Sequence, residues 1–316
     1  MKKRLIILFL IAALFGGAFS FLYPRINSSE KLVSGRADMG NELSQKEEER
    51  LIKENTAKYQ PKITNKTKVN GLNVAAKSAI VVDQNTNEII FSKNINEKMH
   101  PASIIKVLTF ITAMEVYKEN DLIEISEFSS QQIANKISMK PGEKLKLSDL
   151  LYGLMMISAN DAAYAIADYY KDGFDGFVGL ANKKTNLLGL KDTTMKNPAG
   201  LDHKEQLSTV FDMATITRYA LINHPSIIKY AGKKTEHSVY ATENNEPHWW
   251  FGHLSRMLTA YPHMIAAKTG FTYEAGTTYI GIAEKNGRRL VLVMMGSDSA
   301  SANNDVKKLL DFGFAN

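Results

Sequence analysis

The sequence predicts an α+β fold: an antiparallel sheet flanked by helices, with a helical lobe inserted between its early and its late strands. Three observations carry this expectation. Two short apolar runs, Ser78–Asp83 and Glu88–Lys93, read as a pair of strands near the start of the globular region. Three more, near Ile265–Thr272, Thr277–Glu284 and Arg288–Gly296, stand close together towards the end. Between the two groups the pattern is helical as far as about His224, and a last helix follows the final strand. Strands so distant in sequence share one sheet when the stretch between them loops out as a lobe, and a site is expected between lobe and sheet.

The first element in order is Met1-Lys2-Lys3-Arg4 followed by an apolar stretch from Leu5 to about Tyr23. This is the pattern of an export signal, with Ala18-Phe19-Ser20 as a passable cleavage site. At about 1.5 Å per residue the same stretch also crosses a hydrocarbon core of roughly 30 Å, so residues 1–23 read as a signal peptide or a retained membrane anchor, with a lean towards the anchor. Either way the basic end stays in the cytoplasm and the remainder is exported, to the outer face of the membrane or the wall. Residues 24–72 read as a polar stalk with at most transient helix, and residues 73–316 as one catalytic domain.

Charge supports that division. Thirteen Lys and Arg and seven Asp and Glu fall in the first seventy residues, leaving 26 of each sign in the rest, so the formal net charge of +6 belongs to leader and stalk. A basic stalk is drawn to anionic membrane or wall polymers, and the balanced remainder points to no nucleic acid partner. The absence of cysteine excludes disulfides and a lipid-modified cysteine anchor.

Within residues 73–316 three short motifs follow one another: Ser103-Ile104-Ile105-Lys106, Ser158-Ala159-Asn160 and Lys268-Thr269-Gly270. Ser103 follows Pro101-Ala102 and opens a helix that is apolar on nearly all sides, hence buried. Residues three apart share a helix face, so the Lys106 amine reaches the Ser103 hydroxyl, and burial lowers that amine towards a useful general base. First-turn N–H groups have no helical partner, which leaves the Ser103 N–H for an oxyanion hole. Ser158 and Asn160 stand at a junction between two apolar helices, where a hydroxyl passes a proton and an amide orients a lysine and a substrate peptide group. Lys268 and Thr269 offer a cation and a hydroxyl to a terminal carboxylate. Gly270 lets a substrate backbone approach a strand edge, and the Phe271 N–H is the second oxyanion donor.

Each motif has a bland counterpart: a capping serine with a snorkelling lysine, helix punctuation, an edge-protecting lysine. The chain even contains decoys. Ser28-Ser29-Glu30-Lys31 lies in a polar stretch, and Ser301-Ala302-Asn303 stands where a terminal helix should open. Order and context favour the first three.

Together these motifs resemble those of the low-molecular-mass penicillin-binding proteins, the serine D-alanyl-D-alanine carboxypeptidases of peptidase family S11, whose fold is β-lactamase/transpeptidase-like. The Ser78–Lys93 hairpin, Met139-Lys140-Pro141-Gly142-Glu143, Asn197-Pro198-Ala199-Gly200-Leu201-Asp202, Gly287-Arg288-Arg289-Leu290 and Leu309–Phe314 carry the resemblance from about Asn73 to Asn316. It implies that Ser103 is acylated with Lys106 as base and that Ser158 relays a proton to the leaving D-alanine. Asn160 would hold the substrate amide, and Lys268, Thr269 and Gly270 the carboxylate end. The implied partners are a peptidoglycan stem pentapeptide and β-lactam antibiotics, with no metal or organic cofactor.

The chain departs from the family at Ile105, often threonine, and at Ala159, often glycine. Residues 243–262 are also unusual, and there Trp249 and Trp250 either pack a helix–sheet junction or shape the cleft entrance. A class A β-lactamase is disfavoured because no Glu-x-x-Leu-Asn follows Asn160 before Lys268. Gly-x-Ser-x-Gly and zinc-type His spacings are also missing. A catalytically silent penicillin-sensing wall protein is the rival from another class.

Overall fold

The computed structural model describes residues 43–69, 71–235, 237–240, 247–250 and 252–316. Its strands are β1 (Lys68–Val69), β2 (Ser78–Asp83), β3 (Ile89–Lys93), β4 (Leu122–Glu124), β5 (Lys144–Lys146), β6 (His237–Tyr240), β7 (Pro247–Trp250), β8 (Met264–Thr272), β9 (Gly276–Lys285) and β10 (Arg288–Ser297). Its helices are α1 (Gln45–Tyr59), α2 (Lys106–Val116), α3 (Glu127–Ser130), α4 (Leu147–Met156), α5 (Asn160–Asp168), α6 (Gly173–Leu187), α7 (Val210–Asn223), α8 (Ile227–Ala231), α9 (Met257–Ala260) and α10 (Ala302–Ala315), with a 3₁₀ turn at Ala102–Ile105.

Six strands form the main sheet in the order β1-β3-β2-β10-β9-β8. The early hairpin β2–β3 is antiparallel, and β2 pairs antiparallel with β10, so the early strands do join the late ones around the looped-out helices. The sheet is mixed rather than wholly antiparallel, because β1 adds parallel to β3 at one edge. The other edge is β8, which carries Lys268, Thr269 and Gly270.

Alternation along the strands sorts the core into two layers. Ile80 and Val82 of β2 and Val291 and Val293 of β10 join one apolar cluster with α2, α4, α5 and α7. Ala79 and Val81, with Leu290, Leu292 and Met294, join another with Val306, Leu309 and Leu310 of α10. Helices therefore cover both faces, which is why β2 is buried at every position and reads as an unbroken apolar run.

Part of the stretch read as a stalk belongs to this folded body. Helix α1 starts at Ser44, whose hydroxyl accepts from the Glu47 N–H at 3.4 Å. It buries Leu51, Asn55 and Tyr59. Asn55 Nδ2 donates to the Leu187 carbonyl at 2.8 Å, Arg218 Nε donates to the Tyr59 carbonyl at 3.0 Å, and Tyr59 meets Tyr219 edge to face at 4.9 Å. The inward residues recur every four positions, but the middle one is polar, so no apolar stripe marked the helix. Leu51→Ala should cost about 2–5 kcal/mol of stability by the usual price of an emptied leucine site, read from denaturant midpoints.

The short pairs β4–β5 and β6–β7 have no counterpart in the sequence reading, because three or four residues are too few for a period of two to stand out. The decoy Ser301 occupies the N-cap position of α10. Residues 1–23 and the decoy Ser28–Lys31 lie outside the described residues, as do the side chains of Trp249 and Trp250. Among the described residues no helix is long and apolar enough to cross a membrane.

Candidate active site

Ser103 stands on a strained turn. Ala102 is buried with a left-handed φ of 47°, a conformation a non-glycine residue keeps only when its surroundings enforce it. Here two glycines and a threonine do so. Thr278 Oγ1 of β9 donates to the Pro101 carbonyl at 2.9 Å. A Cβ on Gly270 would lie 2.8 Å from the Ser103 nitrogen, and one on Gly200 would lie 2.1 Å from the Ala102 carbonyl oxygen. Backbone thus presses on the turn from β8 on one side and from the 197–201 loop on the other. Only residues lacking a Cβ permit that approach.

The Asn197–Leu201 loop is itself tied. Asn197 Oδ1 accepts from the Gly200 and Leu201 N–H groups at 2.9 and 3.0 Å, and Thr109 Oγ1 of α2 donates to the Pro198 carbonyl at 2.7 Å. This brings the Ala199 carbonyl to the Lys106 amine. Lys106 is fully buried at the start of α2, and its Nζ lies 3.0 Å from Ser103 Oγ, 2.8 Å from Asn160 Oδ1 and 2.5 Å from the Ala199 carbonyl oxygen. Burial lowers Lys106 well below the usual lysine range, and the positive charge of Lys268 lowers it further, while Asp161 works the other way. A neutral amine has two N–H bonds and one lone pair. Lys106 Nζ donates to Ser103 Oγ, and the Ser103 hydroxyl donates in turn to the Ala199 carbonyl at 3.2 Å. Once neutral, an amine that kept Asn160 and Ala199 as its two acceptors would turn its lone pair to the Ser103 hydroxyl.

Asn160 is held from behind. Its Nδ2 donates to the carbonyls of Ile133 and Ala134, both at 2.8 Å, so its oxygen faces Lys106. Ser158 has a left-handed φ of 61°, and its buried hydroxyl has no hydrogen-bond partner among the described residues. On β8, Lys268 is fully buried with its amine donating to the Thr269 carbonyl at 2.7 Å, and burial lowers it to about 7. Phe271 follows Gly270 on the strand and is 56% exposed. His253 is lowered to about 4 by burial and by Lys268, and stays neutral with Nδ1 accepting from the Ser255 N–H at 2.9 Å.

The structure therefore brings Ser103, Lys106 and Asn160 into one hydrogen-bonded group and sets Gly270 against its turn. Three participants escaped the sequence reading. The Ala199 carbonyl is a backbone group with no side-chain signature. Asp161 read as the start of a helix, and Thr278 as an ordinary strand residue. Ala199 and Asp161 lie in or beside a named motif, which does not reveal what an atom faces, and Thr278 carries no local signal at all.

Known proteins share the sequence and fold of this chain. The family model for D-alanyl-D-alanine carboxypeptidase, Peptidase_S11, matches residues 63–299. The chain is 33% identical over 246 residues to the D-alanyl-D-alanine carboxypeptidase DacF of Bacillus subtilis, covering 76% of this chain and 62% of DacF. It is 30% identical over 246 residues to DacB2 of Mycobacterium tuberculosis, covering 76% of this chain and 82% of that protein. Among solved structures, a D-alanyl-D-alanine carboxypeptidase from Mycobacterium tuberculosis superposes with a TM-score of 0.71 at 30% identity, over 78% of this chain and 93% of the other. The Streptomyces K15 DD-transpeptidase shares the fold, with a TM-score of 0.74 at 23% identity over 78% of this chain and all of the other.

Proposed function

This chain belongs to the D-alanyl-D-alanine carboxypeptidase family, peptidase S11, and from that premise we propose that it removes the terminal D-alanine from peptidoglycan stem peptides through an acyl-enzyme on Ser103. The observation that carries the reading is the Lys106 amine, buried, drawn towards neutrality and held 3.0 Å from the Ser103 hydroxyl between two further oxygen acceptors.

In this mechanism Lys106 takes the hydroxyl proton as Ser103 Oγ attacks the carbonyl of the penultimate residue. The oxyanion is received by the N–H groups of Ser103 and of Phe271, the residue after Gly270, whose close approach to the Ser103 nitrogen needs the missing Cβ. The carbon–nitrogen bond then breaks, and the proton held by Lys106 passes through the Ser158 hydroxyl to the departing D-alanine amine. Asn160 orients Lys106 and the substrate amide, while Lys268 and Thr269 receive the free carboxylate. Water then cleaves the ester and regenerates Ser103. Penicillins enter the same site, their strained amide and carboxylate standing in for the peptide end. Such a substrate places the protein on the extracytoplasmic side, with residues 1–23 as signal or anchor and the segment before α1 as a tether.

The test is labelling with a fluorescent penicillin, beside D-alanine release from a stem pentapeptide, for wild type and Ser103→Ala. Stable label and D-alanine release, both lost in the variant, are expected. Rapid loss of label with hydrolysis of the drug would make the protein a β-lactamase. Labelling without D-alanine release would leave a sensor or an enzyme for a different peptide, and label that survives Ser103→Ala would remove Ser103 from the reaction.

A further inference from the structure

Asp161 is a fully buried acid that the reaction above does not use. It stands in the first turn of α5, next to Asn160. Its carboxylate accepts from the N–H groups of Ile137 at 3.0 Å, Ser138 at 2.8 Å and Ala162 at 2.9 Å, and the Met139 N–H adds to them. These partners are all donors, the environment of an ionised carboxylate. Burial raises the Asp161 carboxyl above the usual carboxylate range, and the four N–H groups oppose that rise without reversing it.

What the carboxylate holds is a conformation the chain would otherwise leave. In the segment it grips, Ala134, Asn135 and Ser138 have left-handed φ values of 40°, 45° and 68°. Non-glycine residues remain there only when the surrounding structure over-determines them. The same segment supplies the Ile133 and Ala134 carbonyls that accept from Asn160 Nδ2, and the Asn135 carbonyl accepts from the Asn160 N–H at 2.7 Å. Those carbonyls decide which way round the Asn160 amide stands. Turned over, it would set its oxygen against two carbonyl oxygens and its NH₂ against the Lys106 amine.

We propose that Asp161 is a positioning residue of the reaction: by gripping residues 137–139 it keeps the Ile133 and Ala134 carbonyls on Asn160, and so keeps the Asn160 oxygen on the Lys106 amine. The proposal rests on the carboxypeptidase reading and assigns one of its supports. The carboxylate also acts on Lys106 through space. Lys268 on β8 and burial both favour loss of the Lys106 proton, and Asp161 on α5 opposes them. Asn160 and the Ala199 carbonyl face the amine as neutral acceptors, and His253, the neighbour of Lys268, stays uncharged. Asp161 therefore helps to set the pH at which Lys106 becomes a base.

The test compares the rate of acylation by fluorescent penicillin, across pH, in wild type, Asp161→Asn, Asp161→Glu and the double variant Asp161→Asn/Ser138→Gly. Asparagine keeps the size but loses an acceptor and the charge. Acylation should fall by about 10- to 100-fold, as misplacement near a reacting centre does, and the acid limb should move to lower pH. Glutamate keeps the charge but displaces the carboxylate, so the rate should fall with the acid limb in place. Glycine at 138 removes the left-handed strain and should return part of the lost rate without returning the limb.

Asp161→Asn with a wild-type rate and profile would overturn the proposal. So would a slower Asp161→Asn whose acid limb is unmoved and which Ser138→Gly does not help, since that is lost packing alone. If Asp161→Asn does not fold, Asp161→Glu decides: wild-type acylation by it removes the positioning role. Wild-type acylation without D-alanine release would overturn the carboxypeptidase reading instead, and the comparison of acylation rates would stand.

Discussion

Lys106→Arg should acylate at about 10²- to 10⁴-fold below the wild-type rate, the usual contribution of a general base, although it keeps a positive charge. Arginine does not give up its proton in a protein, so it cannot accept the one on Ser103. Lys106→Ala should fall as far, by removing the base altogether. An arginine variant that kept the wild-type rate would mean that Lys106 serves by charge and not by proton transfer. The measurement is the second-order rate constant for acylation by a fluorescent penicillin, with thermal melts to show that each variant folds.

The pH profile adds a sign that can be checked. Acylation needs neutral Lys106, so the rate rises with pH as that amine loses its proton, and this acid limb should vanish in both variants. Capture of a free carboxylate needs charged Lys268, which burial lowers to about 7 in the free enzyme. For peptide substrates kcat/KM should therefore fall as pH rises through that region. Peptides whose terminal carboxylate is amidated should lack the basic limb.

Gly200→Ala is expected to damage the site without touching a reacting atom. Its φ is 81°, and the added Cβ would lie 2.1 Å from the Ala102 carbonyl oxygen and 2.9 Å from the Ser103 nitrogen. These are backbone atoms, so no side-chain rotation relieves the clash and the nucleophile turn itself must move. A shift of about 1 Å at a reacting group costs on the order of 100-fold in rate, and overpacking of this kind costs about 1–3 kcal/mol of stability. Gly287→Ala is the control. It has a φ of 75° in the β9–β10 hairpin with nothing within 4 Å of the new Cβ, so it meets conformational strain alone. It should lose stability with acylation intact. Equal acylation by the two variants would show that the close approach at Gly200 does not position Ser103.

Much of the site was legible because its side chains obey local rules. Ser103 and Lys106 are three apart at a helix start, and their meeting follows from helix geometry. The strand character of residues 264–272 follows from a short run of small and apolar residues, and the ends of β8, β9 and β10 fell close to expectation for the same reason. The helix α1 was misread because its inward face carries Asn55, whose partner is the Leu187 carbonyl, 132 positions away. A polar residue that is satisfied inside a fold looks, in sequence, like one that faces water.

By itself the sequence determined which residue types could do the chemistry: a serine and a lysine within reach of one another, a serine and an asparagine at a helix junction, a lysine and a glycine on one strand. Periodicity and turn chemistry are properties of neighbouring residues, so they survive without a fold. Only the tertiary structure decided which oxygens surround the Lys106 amine, since that depends on the Ala199 carbonyl and on which way round Asn160 stands. A carbonyl oxygen belongs to every residue alike. What makes one of them part of a site is the direction in which the folded chain turns it.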